Sequence, residues 1–165
     1  GQNEWGHNIY DTTRTEVGEA VYQLKYKSDW TKVQPLAKCL YAKAYPLFQK
    51  VGFILPMAAS NVRARQPVTE VAQALAQLAG VPCFDDLLLK APGGVSLKNL
   101  NTKQEKVDAI GGSFSVSPVI SNEGRWNVLV IDDLYHTGAS MEAACAALRG
   151  YNKINNIYVA ALTWR

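Results

Sequence analysis

The sequence predicts an α/β fold in which a mostly parallel sheet is covered by helices on both faces, with further helices at the N-terminus. Two observations predict it. Short apolar runs typical of buried strands alternate with longer segments in which apolar residues recur at helical spacing. The clearest strand, at residues 128–131, has four consecutive apolar residues, as expected when both faces of a strand are buried. The 165 residues, 48% of them hydrophobic, suit a single domain over residues 1–165.

The predicted helices carry apolar residues three and four positions apart. They are expected from about residue 15, over residues 31–50, over residues 68–79 and from residue 141 to residue 149. Pro35 and Pro46 should interrupt the second, because proline lacks an amide hydrogen. Gly80 and Gly150 should end the last two.

The predicted strands are apolar segments bounded by turn residues. They cover residues 51–57, 87–89, 113–117, 128–131 and 156–162. A loop over residues 58–67 follows the first strand, and a loop with Pro-Gly-Gly and several lysines begins at residue 90.

The composition and patterning of the sequence indicate the cellular location of the protein. No segment has the roughly 20 apolar residues that span a bilayer, and the N-terminal residues lack the pattern of a secretory signal. Cys39, Cys83 and Cys145 are widely separated in apolar surroundings, which argues against a disulfide framework or a zinc cluster. We therefore expect a cytoplasmic protein that does not bind membranes.

The candidate functional residues directly follow the predicted strand at residues 128–131. Asp132 and Asp133 follow it directly, and a predicted turn at residues 134–136 comes next. Ligands of open parallel sheets bind beyond the carboxyl ends of the strands. Two carboxylates there accept hydrogen bonds from a diol or hold a hydrated magnesium ion. Alternation along the strand should send the two side chains in different directions, so that they need not repel each other.

The next residues, Thr137-Gly138-Ala139-Ser140, supply donors. Amide groups at a helix start lack intrahelical partners, glycine permits close approach, and the two hydroxyls add further donors. Acceptors for hydroxyls beside donors for a phosphate describe a ribose 5-phosphate site. The alternative is a polar turn in which Thr137 is an ordinary helix cap.

The run of residues 128–140 resembles the 5-phosphoribosyl 1-diphosphate (PRPP) signature of type I phosphoribosyltransferases: an apolar strand, two acids, three loop residues and Thr-Gly-x-Ser/Thr. The resemblance implies that family's fold. It also implies that Asp132 and Asp133 contact the ribose, act in catalysis and are the candidate metal ligands. The PRPP-binding residues that it implies for the loop are Thr137, Gly138, Ala139 and Ser140, and His136, within the same loop, is a further candidate. His136 either hydrogen-bonds the ligand or is a variable loop position.

Flanking segments are similar to the competence protein F-like subgroup of that family. They are residues 10–29, the strand end and arginine-containing loop at 54–66, and the glycine-containing strand at 111–116. Two features depart from the subgroup. No Cys-x-x-Cys zinc module precedes the core, and residues 93–106 match its flexible loop only loosely.

The 1-diphosphate of PRPP needs cations and backbone donors. Ala59 and Ser60 are small enough to let the backbone approach it. Arg63 and Arg65 are expected to pair with it, the alternative being that both are solvated loop charges.

A second group of cations lies in the loop at residues 90–106. Lys98, Lys103 and Lys106 either close over the departing diphosphate, with Lys103 as the catalytic candidate, or stay solvated. Trp164 either stacks on a planar acceptor or packs against the fold.

The sequence thus predicts a magnesium-dependent enzyme that transfers ribosyl 5-phosphate from PRPP to an unidentified nitrogen nucleophile and releases diphosphate. The alternative is a module without turnover that senses PRPP or a nucleotide, or that serves DNA uptake, as the competence-like resemblance suggests. Partners beyond these small molecules are a homodimer and, with a net charge of only +3, more weakly, single-stranded nucleic acid.

Overall fold

The computed structural model describes residues 15–59, 63–91, 114–135 and 138–164, and the structural statements below refer to these ranges. The α-helices are α1 (Glu16–Lys27), α2 (Val33–Lys43), α3 (Pro67–Ala79) and α4 (Ala139–Arg149). The strands are β1 (Val51–Pro56), β2 (Leu88–Lys90), β3 (Phe114–Val116), β4 (Trp126–Tyr135) and β5 (Ile154–Trp164).

A parallel sheet forms the centre of the fold, with strand order β1-β4-β5. The central strand β4 contains the four apolar residues that the sequence marks as buried, and each of them is at most 1% exposed. The chain also runs alongside β1 at residues 82–84. There the amide of Ile54 donates to the carbonyl of Pro82 (2.9 Å) and the amide of Phe84 donates to the carbonyl of Ile54 (3.0 Å). The predicted parallel sheet is confirmed.

Helices cover both faces of this sheet, because successive residues of its strands alternate between two apolar clusters. On one face, Phe53 and Val130 pack with α4 and with β2 and β3. On the other face, Ile54 and Leu129 pack with α1, α2 and α3. This arrangement explains why the strands are apolar throughout instead of alternating with polar residues.

Strands β2 and β3 stand outside the parallel sheet. They pair with each other in antiparallel fashion, Leu88 opposite Val116 and Lys90 opposite Phe114. The sequence predicts both strands but gives no sign of their partner, because three-residue pairings leave no periodicity that separates parallel from antiparallel neighbours.

Helix α1 begins, and helix α3 ends, close to the predicted positions. The Thr15 hydroxyl caps α1 by accepting the Gly18 amide (3.0 Å), and Gly80 ends α3 with a positive φ of 72°. The predicted helix over residues 31–50 is instead α2 flanked by two 3-10 turns, Trp30–Lys32 and Tyr45–Leu47. Pro35 lies in the first turn of α2, where no amide donor is needed, so it does not interrupt the helix.

Within the described ranges, every helix is too short or too polar to cross a membrane.

Candidate functional site

The acidic pair lies within β4, near the carboxyl end of the strand. The predicted turn does not begin at residue 134, since β4 continues to Tyr135, with Leu134 opposite Thr163 and Tyr135 opposite Trp164 on β5. The Thr163 hydroxyl also donates to the Asp133 carbonyl (2.6 Å). Because β5 is long enough to pair with the whole of β4, the two acids are held on regular sheet.

A cavity of about 290 Å³ opens at the carboxyl ends of β1 and β4. Its described lining combines acceptors and donors, an arrangement suited to a ligand that carries both hydroxyls and phosphates. The polar lining groups are two carboxylates, three basic side chains, two hydroxyls and one amide: Asp132, Asp133, Lys25, Arg63, Lys90, Thr69, Ser140 and Gln66.

Asp133 is paired with a lysine that is distant in the sequence. The Nζ atom of Lys25, in the last turn of α1, lies 2.7 Å from Oδ2 of Asp133, with the two side chains 34% and 19% exposed. Burial by itself lowers the pKa of Lys25, but the hydrogen bond and the charge of Asp133 outweigh it and raise this pKa above its ordinary value. Sequence reasoning missed Lys25 as a site residue.

Asp132 is the more perturbed acid. Its Oδ1 accepts the backbone amide of Asp133 (2.8 Å). Its pKa is raised to about 6, first by burial and then by the hydrogen bond and charge of the Asp133 carboxyl. Strand alternation was expected to keep the two side chains from repelling. The structure differs, since both carboxyls line the same cavity and the Asp133 carboxyl raises the pKa of Asp132.

We predict that Asp132→Asn stabilises the fold. The pKa of Asp132 is near 3.8 in the unfolded chain and about 6 in the folded protein, so its contribution to stability is full below about pH 4 and is lost as the pH rises to about 6. Above that window the neutral amide should raise the free energy of unfolding by about 1–2 kcal/mol. Urea unfolding of both proteins across this range measures the difference; an equal gain at pH 4 and pH 8 would refute this explanation.

The start of α4 lines the same cavity as the acidic pair. The helix begins at Ala139, and its N-cap is Gly138, with a positive φ of 79°. The alternative of Thr137 as an ordinary helix cap falls on a residue outside the described ranges. Ser140 lines the cavity, and Gly138 and Ala139 are buried beside it. His136 and Thr137 lie outside the described residues.

The candidate diphosphate residues separate into two groups. Ala59 and Arg63 line the cavity directly after β1, whereas Arg65 is engaged elsewhere. Its Nε lies 3.0 Å from Oε1 of Glu70, and its guanidinium stacks 4.0 Å from the ring centroid of Trp30. Ser60 lies outside the described residues.

The predicted loop lysines and Trp164 are the remaining candidate site residues. Lys98, Lys103 and Lys106 lie outside the described residues, whereas Lys90, the last residue of β2, lines the cavity. Trp164 is 82% exposed, so the structure does not support the alternative in which it packs against the fold.

No protein-family model matches the sequence, and no curated protein matches it either. Solved structures do resemble it. Adenine phosphoribosyltransferase from Saccharomyces cerevisiae, complexed with an imino-altritol bisphosphate and adenine, is 17% identical with a TM-score of 0.51, over 86% of this chain and 72% of that one. Adenine phosphoribosyltransferase from Trypanosoma brucei, in complex with AMP, pyrophosphate and ribose-5-phosphate, is 14% identical with a TM-score of 0.51, over 82% and 53%.

A third similar structure is a hypothetical protein from Neisseria gonorrhoeae with bound ppGpp, 16% identical with a TM-score of 0.51, over 79% of this chain and 66% of that one. At such identities the likeness is one of fold. The competence protein F-like subgroup stays a prediction, but the chain has the α/β fold of the type I phosphoribosyltransferases.

Proposed function

We propose that the protein binds PRPP in this cavity and transfers its ribosyl 5-phosphate to a nitrogen nucleophile, with release of diphosphate. One observation carries the proposal. The lining of one cavity combines the acidic pair of β4 with Ser140 at the start of α4 and with Ala59 and Arg63 after β1. Acceptors for hydroxyl groups thus share a cavity with two groups of residues able to bind phosphate, and PRPP likewise carries a phosphate and a diphosphate on one ribose.

The proposed roles follow from the chemistry of each region. Asp132 and Asp133 accept hydrogen bonds from the ribose hydroxyls. The start of α4 binds the 5-phosphate through amides, the Ser140 hydroxyl and the helix dipole, which favours an anion. The backbone at Ala59 and the guanidinium of Arg63 bind the 1-diphosphate. Magnesium enters the proposal as the counter-ion of the diphosphate oxygens, whose charge it neutralises.

In the reaction, the bond between C1 of the ribose and the diphosphate oxygen breaks with its electron pair leaving on diphosphate. The nitrogen lone pair forms the new bond to C1, and the nitrogen loses a proton. The ribosyl group carries positive charge in the transition state, so catalysis comes chiefly from positioning and from stabilising charge on the diphosphate. Arg63 and Lys90 are the described cavity cations placed for that task, and Lys103 stays a prediction from the sequence.

The similar structures support this proposal by their contents. The Trypanosoma brucei enzyme is found in complex with AMP, pyrophosphate and ribose-5-phosphate. AMP and pyrophosphate are the two products of such a transfer to adenine, and ribose-5-phosphate is the sugar phosphate that is transferred. A homodimer, single-stranded nucleic acid as a partner and a cytoplasmic location remain expectations from the sequence.

Diphosphate release tests the proposed reaction. The protein is incubated with PRPP and magnesium and with each of a panel of nucleobases, glutamine or ammonia. We expect release that depends on one acceptor. PRPP binding without release for any acceptor would favour the alternative function, and absence of PRPP binding would overturn the proposed reaction.

That alternative is a module that senses PRPP or a nucleotide without turnover. The observation in its favour is the Neisseria gonorrhoeae structure, in which the same fold is found with ppGpp, a nucleotide with the ribose and phosphate groups that the cavity suits. The competence-like resemblance of the sequence points in the same direction.

The two arginines after β1 provide a matched pair of variants. Arg63→Gln should weaken diphosphate binding about tenfold, because a charge-assisted hydrogen bond is lost from the cavity. Arg65→Gln should leave it nearly unchanged, since Arg65 is occupied by Glu70 and Trp30. Calorimetric titration with diphosphate and magnesium compares them. Equal losses in both variants would contradict the assignment of Arg63 alone to the cavity.

A further inference from the structure

We propose that Lys25 is the resident cation of the acidic pair: its ammonium occupies Asp133 in place of a metal ion and so reserves the two acids for hydroxyl groups. The proposal deepens the proposed function, because it decides between the diol and the magnesium ion that the sequence leaves open as ligands of these carboxylates.

The ammonium of Lys25 makes two contacts, and the backbone of the same helix turn is anchored separately. Its Nζ lies 2.7 Å from Oδ2 of Asp133 and 5.6 Å from the ring centroid of Tyr26, a distance at which a cation is attracted to an aromatic face. The neighbouring Leu24 is buried in the apolar cluster between α1 and the sheet. Arg63 makes a longer contact, with Nη1 3.4 Å from the Lys25 carbonyl. Lys25 is therefore a fixed part of the cavity wall.

The carboxylates fit a metal ion poorly under these conditions. Magnesium requires near-octahedral oxygen ligands at about 2.0–2.1 Å and gives up its water reluctantly. One oxygen of Asp133 is already paired with an ammonium, and one oxygen of Asp132 accepts a backbone amide. Among the described residues, no three histidine, cysteine, aspartate or glutamate side chains are grouped as metal ligands.

The same carboxylates can still bind hydroxyl groups. A carboxylate has about four acceptor positions on its two oxygens, so a neutral hydroxyl can bind beside the ammonium. A divalent cation brought to the same carboxylate would lie within a few ångströms of a positive charge in a partly buried site, where repulsion is strong. The lysine therefore discriminates by charge between the two classes of ligand.

Binding of Mn²⁺ alone tests the proposal. Free Mn²⁺ is quantified by electron paramagnetic resonance in the presence of wild type, Lys25→Met, Lys25→Arg and Lys27→Met. Lys27 is an exposed residue of the same helix turn and serves as the control. We expect Lys25→Met to bind one equivalent of Mn²⁺ at least about tenfold more tightly than the other three proteins, because it alone frees Asp133 without a cation.

A second change identifies the site. Adding Asp133→Asn to Lys25→Met should abolish the gained Mn²⁺ binding. Circular dichroism verifies that each variant is folded, and Lys25→Gln repeats the comparison if Lys25→Met is not. The proposal is overturned if wild type binds Mn²⁺ as tightly as the neutral variant, or if a folded neutral variant gains no binding. Because no PRPP is present, these outcomes are independent of whether the proposed reaction occurs.

Discussion

Asp133→Asn is expected to weaken PRPP binding by roughly 10- to 100-fold, the effect of losing a charge-assisted hydrogen bond in a partly buried site. Asparagine keeps the shape of the side chain and one acceptor oxygen, but it removes the charge that pairs with Lys25. The lysine is left beside a neutral amide, so the orientation of the acid side of the cavity is lost together with its charge. Isothermal titration calorimetry with PRPP in magnesium buffer measures the change.

Asp86→Asn is the control for this experiment. Asp86 is an exposed turn residue before β2 and does not line the cavity, so its variant should bind PRPP like the wild type. If Asp133→Asn binds PRPP as tightly as Asp86→Asn, the assignment of Asp133 to the ribose is wrong.

The second large effect is expected from Gly138→Ala. Gly138 has a φ of 79°, and a Cβ at this position would lie 2.5 Å from the hydroxyl oxygen and 3.0 Å from Cζ of Tyr135. The variant combines left-handed backbone strain with a contact that the Tyr135 side chain, 41% exposed, must move to relieve, which together should cost about 1–3 kcal/mol of folding free energy or displace the start of α4. Urea denaturation and phosphate affinity report the two consequences.

Gly80→Ala separates backbone strain from the clash. Gly80 has a similar φ of 72°, but no atom lies within 4 Å of the position that a Cβ would take there. It should therefore cost only about 1 kcal/mol. Adding Tyr135→Ala to Gly138→Ala should recover the difference between the two glycine variants. Equal costs for Gly80→Ala and Gly138→Ala would show that Tyr135 does not restrict the start of α4.

Local sequence patterns were sufficient to predict the central strand of the fold. The apolar run of β4 predicts a strand buried on both faces, because only such a position removes four successive side chains from water. Gly138, the N-cap of α4, has a positive φ, which glycine adopts without strain; the close approach of a ligand there stays a prediction. The acidic pair follows from its place at the carboxyl end of a parallel strand.

Contacts between residues that tertiary packing brings together could not be predicted from such local patterns. Lys25 reaches Asp133 because α1 packs beside β5, and a lysine in the last turn of a helix is common enough to carry no local signal. Arg63 and Arg65 are equivalent in sequence, and it is the neighbouring Glu70 and Trp30 that draw only Arg65 away. The length of β4 likewise depends on its partner β5, so its end could not be placed from β4 alone.

A crystal structure of the wild-type protein with PRPP and magnesium tests the central claim most directly. We predict that the ribose hydroxyls lie within hydrogen-bond distance of Asp132 and Asp133, with the 5-phosphate at the start of α4 and the diphosphate at the end of β1 near Arg63. A ribose bound away from the two carboxylates, or a 5-phosphate bound at the end of β1 instead of the start of α4, would contradict this account.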